Sequence, residues 1–161
     1  MLDKYRERGF DALARDVAWS SALGLFARAV AQLEDRESAA QLVPLLEPLR
    51  GLSLTNGSSG FGTADQCLAL LAVTQGDLER ADQLFEAAVA FETRGGMLSS
   101  LALTKLWWGK SLLAEGLPEN SERAKSLLKE SIELSTEHGY AYYQREAERT
   151  LEELAPAGVR G

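Results

Sequence analysis

The chain has 161 residues, of which 45 % are hydrophobic and 25 % charged, and this composition is typical of a globular protein. Its net charge of −7 argues against a surface for nucleic acid or anionic lipid, because binding to phosphate draws on clustered Lys and Arg. No run of apolar residues is long enough to predict a membrane span. The charged opening MLDKYRERGF differs from a secretory signal, so we expect a cytoplasmic protein with a single domain over 1–161.

Hydrophobic periodicity predicts helices along most of the chain and no sheet. After an N-terminal tail, we expect helices over about 16–33, 36–50, 63–75, 77–94, 97–115, 120–138 and 140–154. A glycine-rich loop over 51–62 separates the second helix from the third. Pro44 falls inside the second helix and should kink or shorten it.

The glycine-rich loop raises the question of a nucleotide site. The segment GSSGFG, from Gly57 to Gly62, has the G-x-x-x-x-G spacing of a phosphate-binding loop. Such a loop needs Lys and then Ser or Thr to reach the phosphates and magnesium, but Thr63 and Ala64 stand in those places. The loop is therefore interpreted as a connector between the first two hairpins. The alternative is that an acidic group of a partner contacts the N-terminus of the helix that begins near Thr63.

A repeat of helical hairpins is the strongest pattern in the sequence. In LALLAVTQGDLERADQLFEAAV, small and apolar residues recur with helical spacing, and Asp77 after Gly76 is placed to cap the second helix. The same unit recurs upstream and downstream, with equivalent small residues at Ala39, Ala81 and Ala124, 42 and 43 residues apart. A period of this length predicts stacked units that bury their apolar faces against one another.

This unit resembles a tetratricopeptide repeat. The resemblance rests on a large and then a small residue at Leu68 and Ala69, on the corner glycine Gly76, and on Gly109 and Gly116 at matching places in LWWGKSLLAEG. The units here are longer than the usual 34 residues of that family. The resemblance implies an all-α fold, namely a right-handed α-solenoid of about three hairpins closed by a capping helix. Those elements would span 16–50, 63–94 and 97–138, with the capping helix over 140–154.

A narrower resemblance covers most of the chain. It lies in the order of the segments ARDVAW, LVPLLEPLRG, the glycine-rich loop, LALLAVTQGDLERADQLFEAAVAFETRGG and AKSLLKESIELSTEHGY. This order is similar to the C-terminal helical region of large bacterial signal-transduction regulators. Those proteins carry a signalling-type ATPase ahead of the repeats, often with an adenylate-cyclase domain or a DNA-binding helix-turn-helix. An Arg-Pro-Trp sequence frequent in that family is replaced here by residues 96–98, so any binding role of that segment is not carried over.

The sequence predicts no catalytic set, no metal site and no cofactor. His138 stands near a helix end without a second His or Cys close to it. Cys67 lies on an apolar helix, where a core position is expected rather than a nucleophile. No G-x-S-x-G motif occurs. We therefore expect that the chain is not an enzyme.

The pair Trp107-Trp108 supplies the main binding candidate. The repeat register places Trp108 in the core beside Gly109, which leaves Trp107 facing an inner groove one turn from Lys110. Trp beside a cation is typical of recognition hot spots. The alternative is that Trp107 packs against a neighbouring helix. The same register predicts further groove residues on the concave side or at its open end, namely Arg28, Gln66 and Trp19.

These patterns favour a non-catalytic helical-repeat module that binds a protein partner or another domain of a larger polypeptide. The second hypothesis is a sensor domain, whose groove takes a small effector and controls an attached ATPase or cyclase. The third is an enzyme, which requires a catalytic constellation that the sequence does not offer.

Overall fold

The computed structural model describes residues 2–154, with side chains from residue 4 onwards except that of residue 6. This part of the chain is mostly helical, which confirms the all-α expectation in its coarse form. The helices are α1 (Leu2–Arg8), α2 (Trp19–Gln32), α3 (Arg36–Leu46), α4 (Ala64–Gln75), α5 (Leu78–Arg94), α6 (Leu98–Ala114), α7 (Pro118–His138) and α8 (Ala141–Leu154). Within residues 2–154, no helix combines the length and apolar character needed to cross a membrane.

The helix boundaries follow local signals in the sequence. The Asp35 carboxylate accepts a hydrogen bond from the backbone N–H of Ser38, and Asp77 accepts one from Arg80, each at 3.2 Å. Both are N-cap bonds of the kind that fixes where a helix begins. Pro44 lies within α3, which ends at Leu46 and passes into a 3₁₀ turn over Glu47–Leu49. The predicted shortening of this helix is therefore confirmed.

The N-terminal segment was expected to be a tail, and the structure corrects this. Residues Leu2–Arg8 form α1, and a 3₁₀ turn follows at Phe10–Ala12. The aromatic rings of Tyr5 and Phe10 lie 5.2 and 5.3 Å from that of Phe26 on α2. Three rings clustered in this way hold the N-terminal segment against α2.

The glycine-rich segment forms a β-hairpin, which corrects the expectation of a chain without sheet. Strand β1 (Ser53–Thr55) pairs antiparallel with β2 (Gly60–Thr63), and the register is irregular between Ser53 and Thr55. At the tip, the Asn56 side chain accepts hydrogen bonds from the backbone N–H groups of residues 58 and 59. Leu54 is buried between two exposed neighbours, but alternation over three residues is too short to predict a strand.

The chain divides into two compact units, one up to Phe91 and the other from Glu92. In the first unit, α2 packs against α3 and α4, and the β-hairpin lies against α2 and α4. In the second unit, α6 packs against α7, and α8 contacts both. The core of the second unit is a cluster of Leu103, Leu106, Leu128 and Ala147.

The small alanines of the repeat are buried, as the period predicts. Ala39, Ala81 and Ala124 are each at most 2 % exposed. These residues belong to α3, α5 and α7, the second helices of successive hairpins. Burial of a small residue at the same place in each hairpin allows close approach of the paired helices.

Candidate functional site

Two predicted groove residues, Arg28 and Gln66, meet in a buried polar cluster. The Arg28 Nη2 donates to the Phe61 carbonyl at 2.6 Å and to the Gln66 Oε1 at 3.0 Å. Gln66 is fully buried and Arg28 is partly buried. The pair therefore joins α2, the β-hairpin and α4, and the structure gives these side chains a bonding role within the first unit.

Gly62 leaves the space that this cluster occupies. Its φ of +90° lies in the left-handed region that favours glycine. A Cβ placed there would lie 2.7 Å from the Arg28 Nη2 and would also collide with the Gln66 side chain. The last glycine of GSSGFG thus serves the approach of Arg28 to the hairpin.

A second polar link at the hairpin, which sequence reasoning missed, is made by Asp65. This buried carboxylate accepts from the Arg50 Nε at 2.9 Å and from the backbone N–H of Gly51 at 2.7 Å. The hydrogen bond to Asp65 raises the pKa of Arg50. The Thr63 hydroxyl accepts from the Gln66 N–H at 3.2 Å as the N-cap of α4. The available signal was Asp65 in the first turn of a helix, directly after a capping Thr.

Trp107 and Lys110 both lie near residues of α8. The Trp107 side chain is half-buried and packs against the cluster around Leu103, while the Lys110 Nζ lies 3.4 Å from the Glu146 Oε2. This placement agrees with the alternative in which Trp107 packs on a neighbouring helix. The role of both residues in recognition stays a prediction.

The neighbouring Trp108 is only 5 % exposed, which confirms the core position expected for it. The Arg123 guanidinium on α7 lies 4.5 Å from the centre of the Trp108 ring. A Cβ at Gly109 would lie 2.9 Å from the Leu128 Cγ, so the glycine permits the close approach of α6 and α7. The repeat register therefore placed the inward-facing member of the pair correctly.

Trp19 lies in the first unit at the start of α2, where it is half-buried. The Arg15 guanidinium lies 4.9 Å from the centre of its ring, a typical cation–π distance. The adjacent Ser20 hydroxyl donates to the carbonyl oxygen of Thr55 on β1 at 2.9 Å. The start of α2 is thus joined to the hairpin, and the predicted groove role of Trp19 stays a prediction.

The second unit contains a surface pocket that sequence reasoning did not single out. This tyrosine pocket has a volume of about 370 Å³, is open to solvent, and lies where α7 gives way to α8. The available signal was the segment GYAYY after a helix end. The pocket is lined by Ser99, Tyr140, Ala141, Tyr142 and Tyr143.

The outer side of α2 exposes an apolar stripe, here named the open face. Leu25 is 51 % and Leu33 62 % exposed, and the half-buried Ala22 and Ala29 lie beside them at helical spacing. The buried residues of α2 are all on its other side, at positions 21, 23, 24, 27 and 30. The open face is therefore apolar surface that the described part of the first unit does not cover.

Comparisons with protein-family models, with curated proteins and with solved structures gave no match. Within residues 2–154, no group of three His, Cys, Asp or Glu side chains is arranged to hold a metal ion. Cys67 is fully buried, with its Sγ 4.0 Å from the Gly24 carbonyl oxygen, which confirms its expected core position. Function is therefore inferred from the pocket, the open face and the repeat itself.

Proposed function

We propose that this chain is a non-catalytic helical-repeat module that binds a protein partner or another domain through the open face of α2. Its hairpins would stack as a right-handed solenoid of the tetratricopeptide type. The order of its segments is similar to that of bacterial signal-transduction regulators, which supports a role in a cytoplasmic signalling or transcriptional regulator. The observation that carries the proposal is the exposure of Leu25 and Leu33.

Comparison of equivalent helices supports the proposal. Helices α2, α4 and α6 each open a hairpin, and each is mainly apolar. In α4 and α6, runs of consecutive residues are buried, over 64–69 and 101–104, so these helices are covered on all sides. Helix α2 has the same apolar character but is buried on one side only. A terminal repeat that stands alone needs a polar outer face, and α2 lacks one.

The chemistry of the open face favours a helical partner. The polar residues of α2 are Ser20, Ser21, Arg28 and Gln32; of these, Arg28 bonds to the hairpin and Ser21 to the Ala18 carbonyl. Small Ala and larger Leu side chains at helical spacing form the ridges and grooves into which another helix packs. A 14-residue helix is about 21 Å long, which is little contact surface for a stable dimer of two α2 helices. We therefore assign the open face to a helical hairpin of a different domain or protein.

The test uses a photoreactive amino acid at Leu25 to trap and identify the partner in cells, followed by titration of the purified partner. We expect Leu25→Lys with Leu33→Lys to weaken binding at least tenfold, because two charges would be buried without pairing. The matched control is Glu37→Lys with Glu34→Lys, which adds cations at exposed positions beyond the open face. Equal affinity of the partner for both double variants would overturn the proposal. A wild-type dimer that the Leu variants dissociate would replace the partner with a second copy.

A second candidate function is a sensor domain that binds a small effector. The tyrosine pocket favours it, because about 370 Å³ falls at the lower end of the range of ligand sites. In this candidate the effector would control an attached ATPase or cyclase. Effector binding at the pocket leaves the open face of α2 unaffected, so the two candidates can be tested separately.

A further inference from the structure

We propose that the tyrosine pocket binds a small organic cation, specifically a quaternary ammonium compound. The inference rests on the effector-binding candidate and names the chemical class of its ligand. It uses only residues of the second unit, so it does not depend on what contacts α2.

The arrangement of the rings suits a cation. The ring of Tyr143 lies 6.0 Å from that of Tyr140, at an interplanar angle of 54°, and 5.9 Å from that of Tyr142, at 74°. Aromatic faces attract a cation within about 6 Å of the ring centre. A cation between neighbouring rings therefore lies within range of two of them, and the inclined planes present faces from different directions.

The charges around the pocket agree with this choice. Of the residues that line the pocket in the described part of the chain, none carries a charged side chain. The exposed Glu137 lies close by at the end of α7, with its carboxylate 3.9 Å from the His138 Nε2. Arg149 acts electrostatically on Tyr142, but its guanidinium is bonded to Glu146 at 2.8 Å. The nearby cation is thus already balanced by a carboxylate.

The helix ends at this corner oppose one another. Helix α7 ends at His138, and α8 begins at Ala141, so the partial negative charge of one helix end lies beside the partial positive charge of the next. The start of α6, at Ser99, adds some positive potential. Phenol rings and Glu137 therefore decide the preference, and a diffuse cation with methyl groups suits the apolar lining better than a compact hydrated one.

The experiment compares choline with 3,3-dimethylbutan-1-ol, its neutral isostere, by NMR titration of the whole chain. We expect choline to shift the resonances of Tyr140, Tyr142 and Tyr143, and to bind at least fivefold more tightly than the neutral alcohol. Tyr142→Leu should weaken choline binding at least fivefold, whereas Tyr142→Phe keeps the ring face and should retain most of it. Tyr142 is 59 % exposed, so both variants are expected to fold.

Equal binding of choline and the alcohol would overturn the cation assignment while leaving an apolar effector site in place. Absence of binding by both ligands would overturn the proposal, and the module would then be judged by the open face of α2 alone. Loss of choline binding in both Tyr142→Leu and Tyr142→Phe would also overturn it, because a ring face would then not be the determinant.

Discussion

Arg28 and Gln66 are 38 residues apart in the chain, yet the Arg28 Nη2 lies 3.0 Å from the Gln66 Oε1. The same nitrogen donates to the Phe61 carbonyl, so one guanidinium holds the β-hairpin between two helices. These side chains were expected to face a ligand groove. Their hydrogen bonds instead give them a structural task that any additional binding role would have to accommodate.

The first prediction is that Arg28→Met lowers the stability of the first unit. Hydrogen bonds from a charged group contribute about 1.5–3 kcal/mol, and the Phe61 carbonyl and the Gln66 amide would lose their donor. Urea denaturation should therefore show a loss of about that size. Arg36→Met, at an exposed position on α3, is the control and should change the free energy of unfolding by less than about 0.5 kcal/mol. Equal stability of the two variants would contradict the assigned role of Arg28.

The second prediction separates the three glycines of the hairpin. Gly57 and Gly62 have φ near +90°, whereas Gly60 is not in the left-handed region and has open space around it. Alanine at Gly57 or Gly62 should cost about 1–3 kcal/mol from the backbone alone. Gly62→Ala should cost more, because its Cβ collides with the side chains of Arg28 and Gln66. Gly60→Ala should be nearly neutral.

Thermal and urea denaturation of the three glycine variants will rank them. The order expected is Gly62→Ala as the least stable, then Gly57→Ala, then Gly60→Ala close to the parent chain. ATP titrations of the same variants test the interpretation of GSSGFG as a structural segment. Saturable ATP binding that disappears in Gly62→Ala would restore the phosphate-loop hypothesis.

The helices could be predicted from the sequence because their signals are local. Asp35 and Asp77 mark helix starts within three residues of the N–H groups that they bind. The buried alanines and Trp108 follow the helical period, which repeats often enough to be recognised. By contrast, β1 and β2 have three and four residues, too few for a period of two to stand out.

The polar cluster and the pocket depend on contacts that no local pattern carries. Arg28 meets Phe61 across 33 residues, and Asp65 meets Arg50 across 15. Ser99 meets the tyrosines of the pocket only after α6, α7 and α8 have packed together. The sequence could indicate which residues are chemically notable, but their partners follow from tertiary packing.

The third prediction concerns acid stability in the second unit. The hydrogen bond from Arg149, with Lys110 nearby, lowers the pKa of Glu146. A carboxylate with a lowered folded-state pKa contributes stability that is present above its unfolded pKa of about 4.3 and is lost as pH falls through the folded value. Glu146→Gln should therefore be slightly less stable than the parent chain at pH 7, and the difference should vanish near pH 3.

The acid prediction is measured by urea denaturation at both pH values. The control is Glu153→Gln, because Glu153 is exposed and lies 3.4 Å from Arg149 rather than in the shared pair with Lys110. It should produce a smaller difference at pH 7. A Glu146→Gln difference that persists at pH 3 would mean that the side chain acts through packing and not through charge.

The last prediction uses the two adjacent tryptophans as each other's control. Trp108→Ala should cost about 3–5 kcal/mol of unfolding free energy, because a buried aromatic side chain is removed from the core of α6 and α7. Trp107→Ala should cost less, because this side chain is only half-buried against the cluster around Leu103. If Trp107 also takes part in recognition, its loss should weaken binding of the trapped partner more than it lowers stability. Unfolding by Trp107→Ala with no effect of Trp108→Ala would show that the repeat register is wrong by one residue, and the predicted groove would fall with it.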